Sequence, residues 1–258
     1  MHSDRSSDPR DIPDYQALFV IDMKGYSTVQ SWRMTELWGD LENMLATAFV
    51  QSGLGAEWQA PSYRNPTGDG LILAMPLTRA RLLVDPLPEN LQRLLASHDR
   101  ERLASIAPIR VRMSVHVGPL TNSFRGDPIN DLCRFVNSGA ARDAVKVAEA
   151  RGAFVALVLS SEAFQVTVRA GRTERLTAGD FRLTQAVVEG KFAEPAWVHV
   201  PTVNAELLAG AASPGAATTS PPDDRFGSTE AVGRASVSHR QFGPIKGYVE
   251  NAGDITFT

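Results

Sequence analysis

Two aspartates stand where apolar runs meet glycine-containing turns. Asp69 lies in the stretch Thr67-Gly68-Asp69-Gly70, directly before the apolar residues 71–75, and Asp22 directly follows the apolar residues 18–21. Taken singly, such an aspartate is more often only a turn residue or a helix cap. Two carboxylates on neighbouring strand ends, however, are the ligands that a pair of Mg²⁺ ions takes beside a nucleoside triphosphate. The pair Asp22 and Asp69 therefore predicts a divalent-metal site.

Composition narrows the class of protein that carries this site. The chain has 258 residues, of which 43% are hydrophobic, and a formal net charge of −3. This length accommodates one α/β core plus extra segments, and the charge gives no reason to expect a nucleic-acid or membrane partner. One cysteine, Cys133, excludes an internal disulfide, and no apolar run approaches about 18 residues. We expect a cytoplasmic protein.

The elements that must position the aspartates follow from periodicity. We predict strands over residues 15–22, 58–65, 71–75 and 109–117, the last with one wet face. Helices are expected over 28–53, over 77–106 with interruptions at Pro86 and Pro88, and over 130–151. Further strands are expected over 154–159, 181–188 and 197–200. The β-α-β-β-α-β order predicts an α+β, ferredoxin-like sandwich with added elements.

Composition also divides the chain. Residues 1–13 are charged and are expected to form a flexible arm, and residues 14–202 are expected to form one domain. Residues 203–239 are rich in Ala, Gly, Ser, Thr and Pro, which favours a disordered linker. Residues 240–258 regain aromatic and β-branched residues and predict a short β-type tail.

Four segments in order resemble the catalytic domain of class III nucleotidyl cyclases, over about residues 15–200. They are residues 19–27, the Thr67-Gly68-Asp69-Gly70 turn, residues 111–119, and Asn130-x-x-x-Arg134. The resemblance implies that Asp22, Asp69 and the Met23 backbone bind two Mg²⁺ or Mn²⁺ ions. It also implies phosphate contacts from the loop residues Lys24, Gly25 and Tyr26, with Lys191 a further candidate.

Asn130 and Arg134 match the family pair that positions the ribose and stabilises the transition-state phosphate. Arginine suits this role because it stays charged and donates in a fork. Asn130 could also cap the helix that begins there. Family members bring the aspartates from one subunit and the Asn/Arg pair from the other, so the resemblance implies a homodimer with shared sites. His116 alternates with valines and is expected to face a neighbouring strand.

The departures from the family concern the base. Adenylate cyclases have a lysine where this chain has Asn65 and an aspartate where ungapped counting gives Ser123, and guanylate cyclases differ again. A cyclase with a non-purine pocket resembles the bacterial pyrimidine cyclases of anti-phage Pycsar systems, which signal to a separate effector through cyclic UMP or cyclic CMP. Arg64 can donate to uracil but cannot accept from the amino group of cytosine, which favours UTP over CTP. An ATP-using cyclase and an inactive nucleotide- or partner-binding module remain alternatives.

Overall fold

A mixed seven-stranded sheet forms the centre of the computed structural model, which describes residues 11–103, 106–121 and 126–211. The strands are β1 Tyr15–Met23, β2 Tyr63–Pro66, β3 Gly70–Pro76, β4 Val111–Pro119, β5 Val155–Ser160, β6 Arg182–Val188 and β7 Phe192–His199. The helices are α1 Ser31–Gln51, α2 Gly55–Gln59, α3 Ala80–Val84, α4 Leu87–Glu101, α5 Asp127–Asn137, α6 Gly139–Ala150 and α7 Ser161–Phe164. Short 3₁₀ turns at Tyr26–Thr28, Leu77–Arg79 and Ala178–Asp180 join some of them, and a π turn follows α7.

The strand order is β2-β3-β1-β4-β5-β7-β6. The first four strands are antiparallel to their neighbours, with the order 2-3-1-4. With α1 between β1 and β2, and α3 and α4 between β3 and β4, they form the βαββαβ unit that the sequence predicts. Strand β5 then adds parallel to β4, and the β6–β7 hairpin completes the sheet. The α+β fold class is confirmed.

Side-chain alternation along β1 divides the core into two layers. Phe19 and Ile21 pack with α1 and α4 in the larger cluster, whereas Leu18 and Val20 pack with α5 on the opposite face. Successive strand residues point to opposite faces of a sheet, so even-numbered β1 positions share the α5 face. Asp22 continues that even-numbered row at the end of the strand.

Several local predictions are corrected. Trp58 lies in α2 and not in a strand, because β2 begins only at Tyr63. Strand β4 has no wet face, since α5 covers the face that carries its polar residues. The expected helix over 130–151 is two helices, separated at Ser138, whose hydroxyl caps α6 by accepting from Ala141 at 3.2 Å. Pro88 lies in the first turn of α4 and does not interrupt it, because that turn needs no N–H from this residue.

The packed chain continues beyond residue 202. Ala205–Ala211 is a 3₁₀ helix, and Leu208 is buried in the cluster formed around α6. Residues 1–10 of the expected arm, residues 212–239 of the expected linker and the expected tail lie outside the described residues. Among the described helices, none is long and apolar enough to cross a bilayer.

Candidate active site

Asp22 and Asp69 lie side by side at one end of the sheet. The β1–β3 register places Asp22 opposite Gly70, and the Met23 amide donates to the Asp69 carbonyl at 2.9 Å. The pKa of Asp22 is raised above its usual value, chiefly because the carboxyl group is buried. Arg112 acts to lower this pKa, and the neighbouring Asp69 carboxylate acts to raise it further. The strand register and the Met23–Asp69 hydrogen bond thus bring the two predicted metal-binding residues together.

Gly70 makes this approach possible. A Cβ atom at residue 70 would lie 2.1 Å from the Ile21 carbonyl oxygen and 2.9 Å from the Thr67 hydroxyl. No side chain fits at those distances, so the Gly-Asp-Gly turn closes against β1 only because glycine has no Cβ. The preceding Gly68 has φ of 91°, a conformation that also favours glycine. The turn thus fixes Asp69 beside the end of β1.

Arg112 pairs with Asp22. The two residues face each other in the β1–β4 register, and each side chain is 14% exposed. Both the Nε and an Nη nitrogen of Arg112 donate to Oδ2 of Asp22, the Nε at 2.9 Å. Sequence reasoning missed this contact, because the β4 alternation indicated solvent for Arg112.

The loop after β1, where phosphate contacts are predicted, turns sharply at Gly25. Gly25 has φ of 74° and precedes the 3₁₀ turn, where the Thr28 amide donates to its carbonyl. The Lys24 ammonium pairs with Glu149 at the end of α6, and the Tyr26 hydroxyl donates to the Met34 carbonyl at 3.1 Å. Because those two side chains have protein partners, the backbone around Gly25 is the loop's best candidate for a phosphate contact.

A second group of candidate residues lines a cavity of about 890 Å³, formed by α5, the start of α7 and the β6–β7 hairpin. Arg134 and Lys191 both line it. The Arg134 guanidinium donates to Asp131 at 2.8 Å and lies 5.8 Å from the centre of the Phe192 ring. The structure therefore brings together the two predicted phosphate-binding cations that were far apart in sequence.

Asn130 is exposed in α5, one turn before Arg134. The helix begins at Asp127 with Gly126 as its N-cap, so the alternative that Asn130 caps this helix is wrong. Residues four apart lie on the same side of a helix, which keeps Asn130 and Arg134 on neighbouring positions. Their spacing is compatible with joint contact to one nucleotide.

His116 is the cavity residue that sequence reasoning missed. As expected, it lies opposite a residue of a neighbouring strand, Leu18 of β1, and it also lines the cavity, with its ring centroid 5.9 Å from that of Phe135. Its Nδ1 has no hydrogen-bond partner and lies 3.7 Å from the Glu162 carboxylate. Burial lowers the pKa of His116, while Glu162 and Asp131 act in the opposite direction.

The two groups lie toward opposite ends of the sheet. Along β4, Arg112 faces Asp22, whereas His116 faces Leu18. Four residues of an extended strand span about 13 Å, so the cavity wall is far from the carboxylate pair. The cavity lining includes Arg134 and Lys191 and neither aspartate.

The predicted base contacts do not share one face of the sheet. Arg64 donates to Glu42 of α1 at 2.6 Å and lies over the Trp58 ring, on the α1 side. Asn65 is the next residue of β2, pairs with Ile72 and belongs to the α5 face, as Asp22 does. Arg64 and Asn65 therefore point to opposite faces of β2, and Glu42 is the partner of Arg64 on its face. Ser123 lies outside the described residues.

The carboxylate pair suits magnesium or manganese. Two adjacent carboxylates and a nearby backbone carbonyl offer the hard oxygen ligands that these ions prefer, with substrate phosphates supplying more. The Met23 backbone can contribute only its carbonyl oxygen, because a backbone N–H is a donor and does not bind a cation. The described residues hold no cluster of three or more His, Cys, Asp or Glu side chains that would form a complete protein cage. Two carboxylates and one carbonyl leave most of the coordination sphere of such an ion to water or to a bound ligand.

No protein-family model matches the sequence, and no curated protein matches it. Among solved structures, a bacterial light-regulated adenylyl cyclase is similar with a TM-score of 0.50 and 10% identity, covering 80% of this chain and 58% of that one. The guanylate cyclase domain of RhGC from Catenaria anguillulae, in complex with GTP, has a TM-score of 0.49 and 14% identity, covering 74% and 97%. An adenylyl cyclase from P. aeruginosa is similar with a TM-score of 0.45 and 12% identity, and the match covers 72% of this chain and 92% of that one.

At these identities the similarity concerns the fold alone. The chain has the fold of class III adenylyl and guanylyl cyclase catalytic domains, as the four sequence segments predict.

Proposed function

We propose that this protein is a nucleotidyl cyclase that converts a pyrimidine nucleoside triphosphate to its 3′,5′-cyclic monophosphate and pyrophosphate. One observation carries the proposal: a carboxylate pair suited to metal binding lies at one end of the sheet, and a cation-lined cavity lies toward the other. Neither half is complete alone. A two-fold symmetric pair of identical chains would place each half against its complement, giving two equivalent sites.

The first half-site, formed by Asp22, Asp69 and Met23, would neutralise the negative charge of the triphosphate through bound metal ions. Asp22, Asp69 and the Met23 carbonyl would hold two Mg²⁺ or Mn²⁺ ions, which when bound neutralise the phosphates and acidify the ribose 3′-hydroxyl. In the reaction the 3′-oxygen attacks the α-phosphorus, the bond to pyrophosphate breaks, and the hydroxyl proton is released to solvent. The Gly25 backbone would approach the phosphates because no Cβ stands in the way.

The second half-site holds the reacting groups in line. Arg134 would bind the α-phosphate, and Lys191 the departing pyrophosphate, across the cavity that both line. Asn130 would hydrogen-bond the ribose. In the structure Arg134 donates to Asp131, a single carboxylate. A phosphate carries more charge and more acceptor oxygens, so substrate can replace Asp131 as the main partner of Arg134.

The base assignment rests on Asn65 and Ser123. Neither carries the charge that reads adenine in the family, and each purine edge left unpaired would cost about 1–3 kcal/mol. Uracil and cytosine present smaller edges that an amide and a hydroxyl can satisfy. The preference for UTP over CTP rested on Arg64, which contacts Glu42 on the other sheet face. We therefore propose the pyrimidine class and leave its two members to experiment.

The same resemblance suggests the biological role. Like the Pycsar cyclases, the enzyme would act in the cytoplasm during phage infection, and its cyclic nucleotide would activate a separate effector protein. The proposal requires no nucleic-acid or membrane partner. A phage-challenge assay comparing cells that express wild-type and Asp69→Ala protein tests this role, and equal phage sensitivity of the two would contradict it.

The activity is tested with purified full-length protein, Mn²⁺ or Mg²⁺, and each of the four labelled ribonucleoside triphosphates, with products separated by chromatography. We expect cyclic UMP or cyclic CMP to form fastest, and Asp69→Ala protein to form neither. Faster conversion of ATP would show that the base assignment is wrong while the cyclase assignment holds. Conversion of none of the four would refute the cyclase.

A further inference from the structure

The Arg112–Asp22 pair occupies the place where the proposed metal site needs a free carboxylate oxygen. Two guanidinium nitrogens of Arg112 donate to the same oxygen, Oδ2, and both side chains are largely buried. The β1–β4 register sets the two residues directly opposite each other. The pair is therefore part of the sheet and not a chance contact between mobile surface side chains.

The charges show what the contact does. Asp22 and Asp69 carry two negative charges, and the Arg112 guanidinium returns one positive charge. The local sum is one negative charge, which is a weak attraction for a divalent ion. An ion that approaches Oδ2 meets both a fixed positive charge and an oxygen whose lone pairs are already in use.

We propose that Arg112 is a built-in counter-ion that competes with divalent metal for Asp22, so that metal binds firmly only together with the triphosphate. The proposal rests on the proposed metal site at Asp22 and Asp69. A nucleoside triphosphate brings several negative charges, which offset Arg112 and supply further oxygen ligands. Arg112 is thus a positioning residue that couples metal binding to substrate binding.

The proposed competition predicts the direction in which metal affinity changes when Arg112 is replaced. Replacing Arg112 by methionine removes the positive charge and frees Oδ2, while preserving an unbranched side chain of similar length. One unit charge a few ångströms from a divalent ion changes its affinity by about tenfold or more, even with the screening of water. A residue that only oriented Asp22 would show the opposite result, because its loss would weaken metal binding.

The experiment measures Mn²⁺ binding to the full-length protein without nucleotide, by electron paramagnetic resonance of the free ion. We expect Arg112→Met and Arg112→Gln to bind Mn²⁺ at least tenfold more tightly than wild type. Arg112→Lys keeps the charge and should remain within about threefold of wild type. Arg110→Met is the matched control, because Arg110 pairs with Glu149 and should leave affinity unchanged.

Adding Asp22→Asn to Arg112→Met should abolish the gain, which would place the new binding at Asp22. Equal or weaker Mn²⁺ affinity in both Arg112→Met and Arg112→Gln, with circular dichroism and melting like those of wild type, would overturn the proposal. The readout needs no catalysis, so this outcome is separate from the cyclase assay. A protein that converts no nucleotide but gains Mn²⁺ affinity would refute the proposed function and support the counter-ion.

Discussion

The two ends of the sheet are built differently. At the carboxylate end, backbone and side chains are fixed against each other: Met23 bonds to Asp69, Gly70 touches Ile21, and Arg112 pairs with Asp22. At the cavity end, Arg134 and Lys191 are side chains around an open volume, and His116 has an unpartnered nitrogen. The difference indicates that paired groups fix the first end, whereas the second keeps an open volume between its side chains.

The largest expected effect is the loss of activity when a carboxylate is removed from the Asp22–Asp69 end of the sheet. Asp22→Ala and Asp69→Ala should each reduce cyclase activity more than about 10²-fold, because the phosphates lose the ions that neutralise them. Steady-state product formation measures the loss, and size-exclusion chromatography checks that the oligomeric state is unchanged. Activity within a few-fold of wild type for either variant would exclude the two-carboxylate assignment.

The next prediction tests whether one active site takes its carboxylates from one chain and its Arg134 from the other. Arg134→Ala should be as inactive as Asp69→Ala, yet a mixture of the two should recover about a quarter of wild-type activity. Random exchange makes half the dimers mixed, and each mixed dimer regains one of its two sites. Absence of recovery, with subunit exchange shown by differently tagged chains, would argue against shared sites.

A measurement of unfolding free energy tests how tightly the Gly70 turn is fixed at the carboxylate end. Gly70→Ala should lower the free energy of unfolding by roughly 3 kcal/mol, because the new Cβ would overlap the Ile21 carbonyl. Gly39→Ala is the control: no atom lies within 4 Å of its Cβ position in α1, so helix propensity should stabilise the protein by about 1 kcal/mol. Urea unfolding compares the two variants. A Gly70→Ala protein as stable as wild type would show that the turn tolerates a side chain.

The smallest effect concerns pH at the cavity end. Burial lowers the pKa of His116 in the folded protein although Glu162 and Asp131 face it. The unfolded chain therefore binds the proton first, and His116 should reduce stability as pH falls below about 6.5. His116→Gln should lose less unfolding free energy between about pH 8 and about pH 5 than wild type does. An equal or larger loss in the variant would contradict this assignment.

The sequence predicted the carboxylate end better than the cavity end, for a physical reason. An apolar run ending at Asp22 and a Gly-Asp-Gly turn are local signals, because chain geometry alone places those carboxylates on strand ends. Arg112 and His116 carry no such signal. Polar residues at alternate positions of β4 are equally typical of a strand face that is exposed to water. That face is buried here only because α5 packs over it.

The division of Arg64 and Asn65 between two faces of the sheet and the break in the 130–151 helix were missed for similar reasons. Which face of a strand meets which helix depends on sheet order, which a two-residue period cannot give. The Ala-rich stretch satisfies helical periodicity on both sides of Ser138, and the break follows from how α5 and α6 pack on different strands. The βαββαβ unit was predictable because it needs only the order and type of elements.

The separation of the half-sites also bears on gene dosage. Under the proposed shared-site reaction, a single chain produces nothing, and two must meet before either site exists. At low abundance the rate of product formation then rises with the square of protein concentration, since dimers form in that proportion. A cell holding few copies would remain nearly silent, and a modest rise in expression would raise its signal steeply. The roughly 13 Å between Arg112 and His116 along β4 would keep one chain from supplying both half-sites, so the dissociation constant of the dimer would set the protein concentration at which product appears.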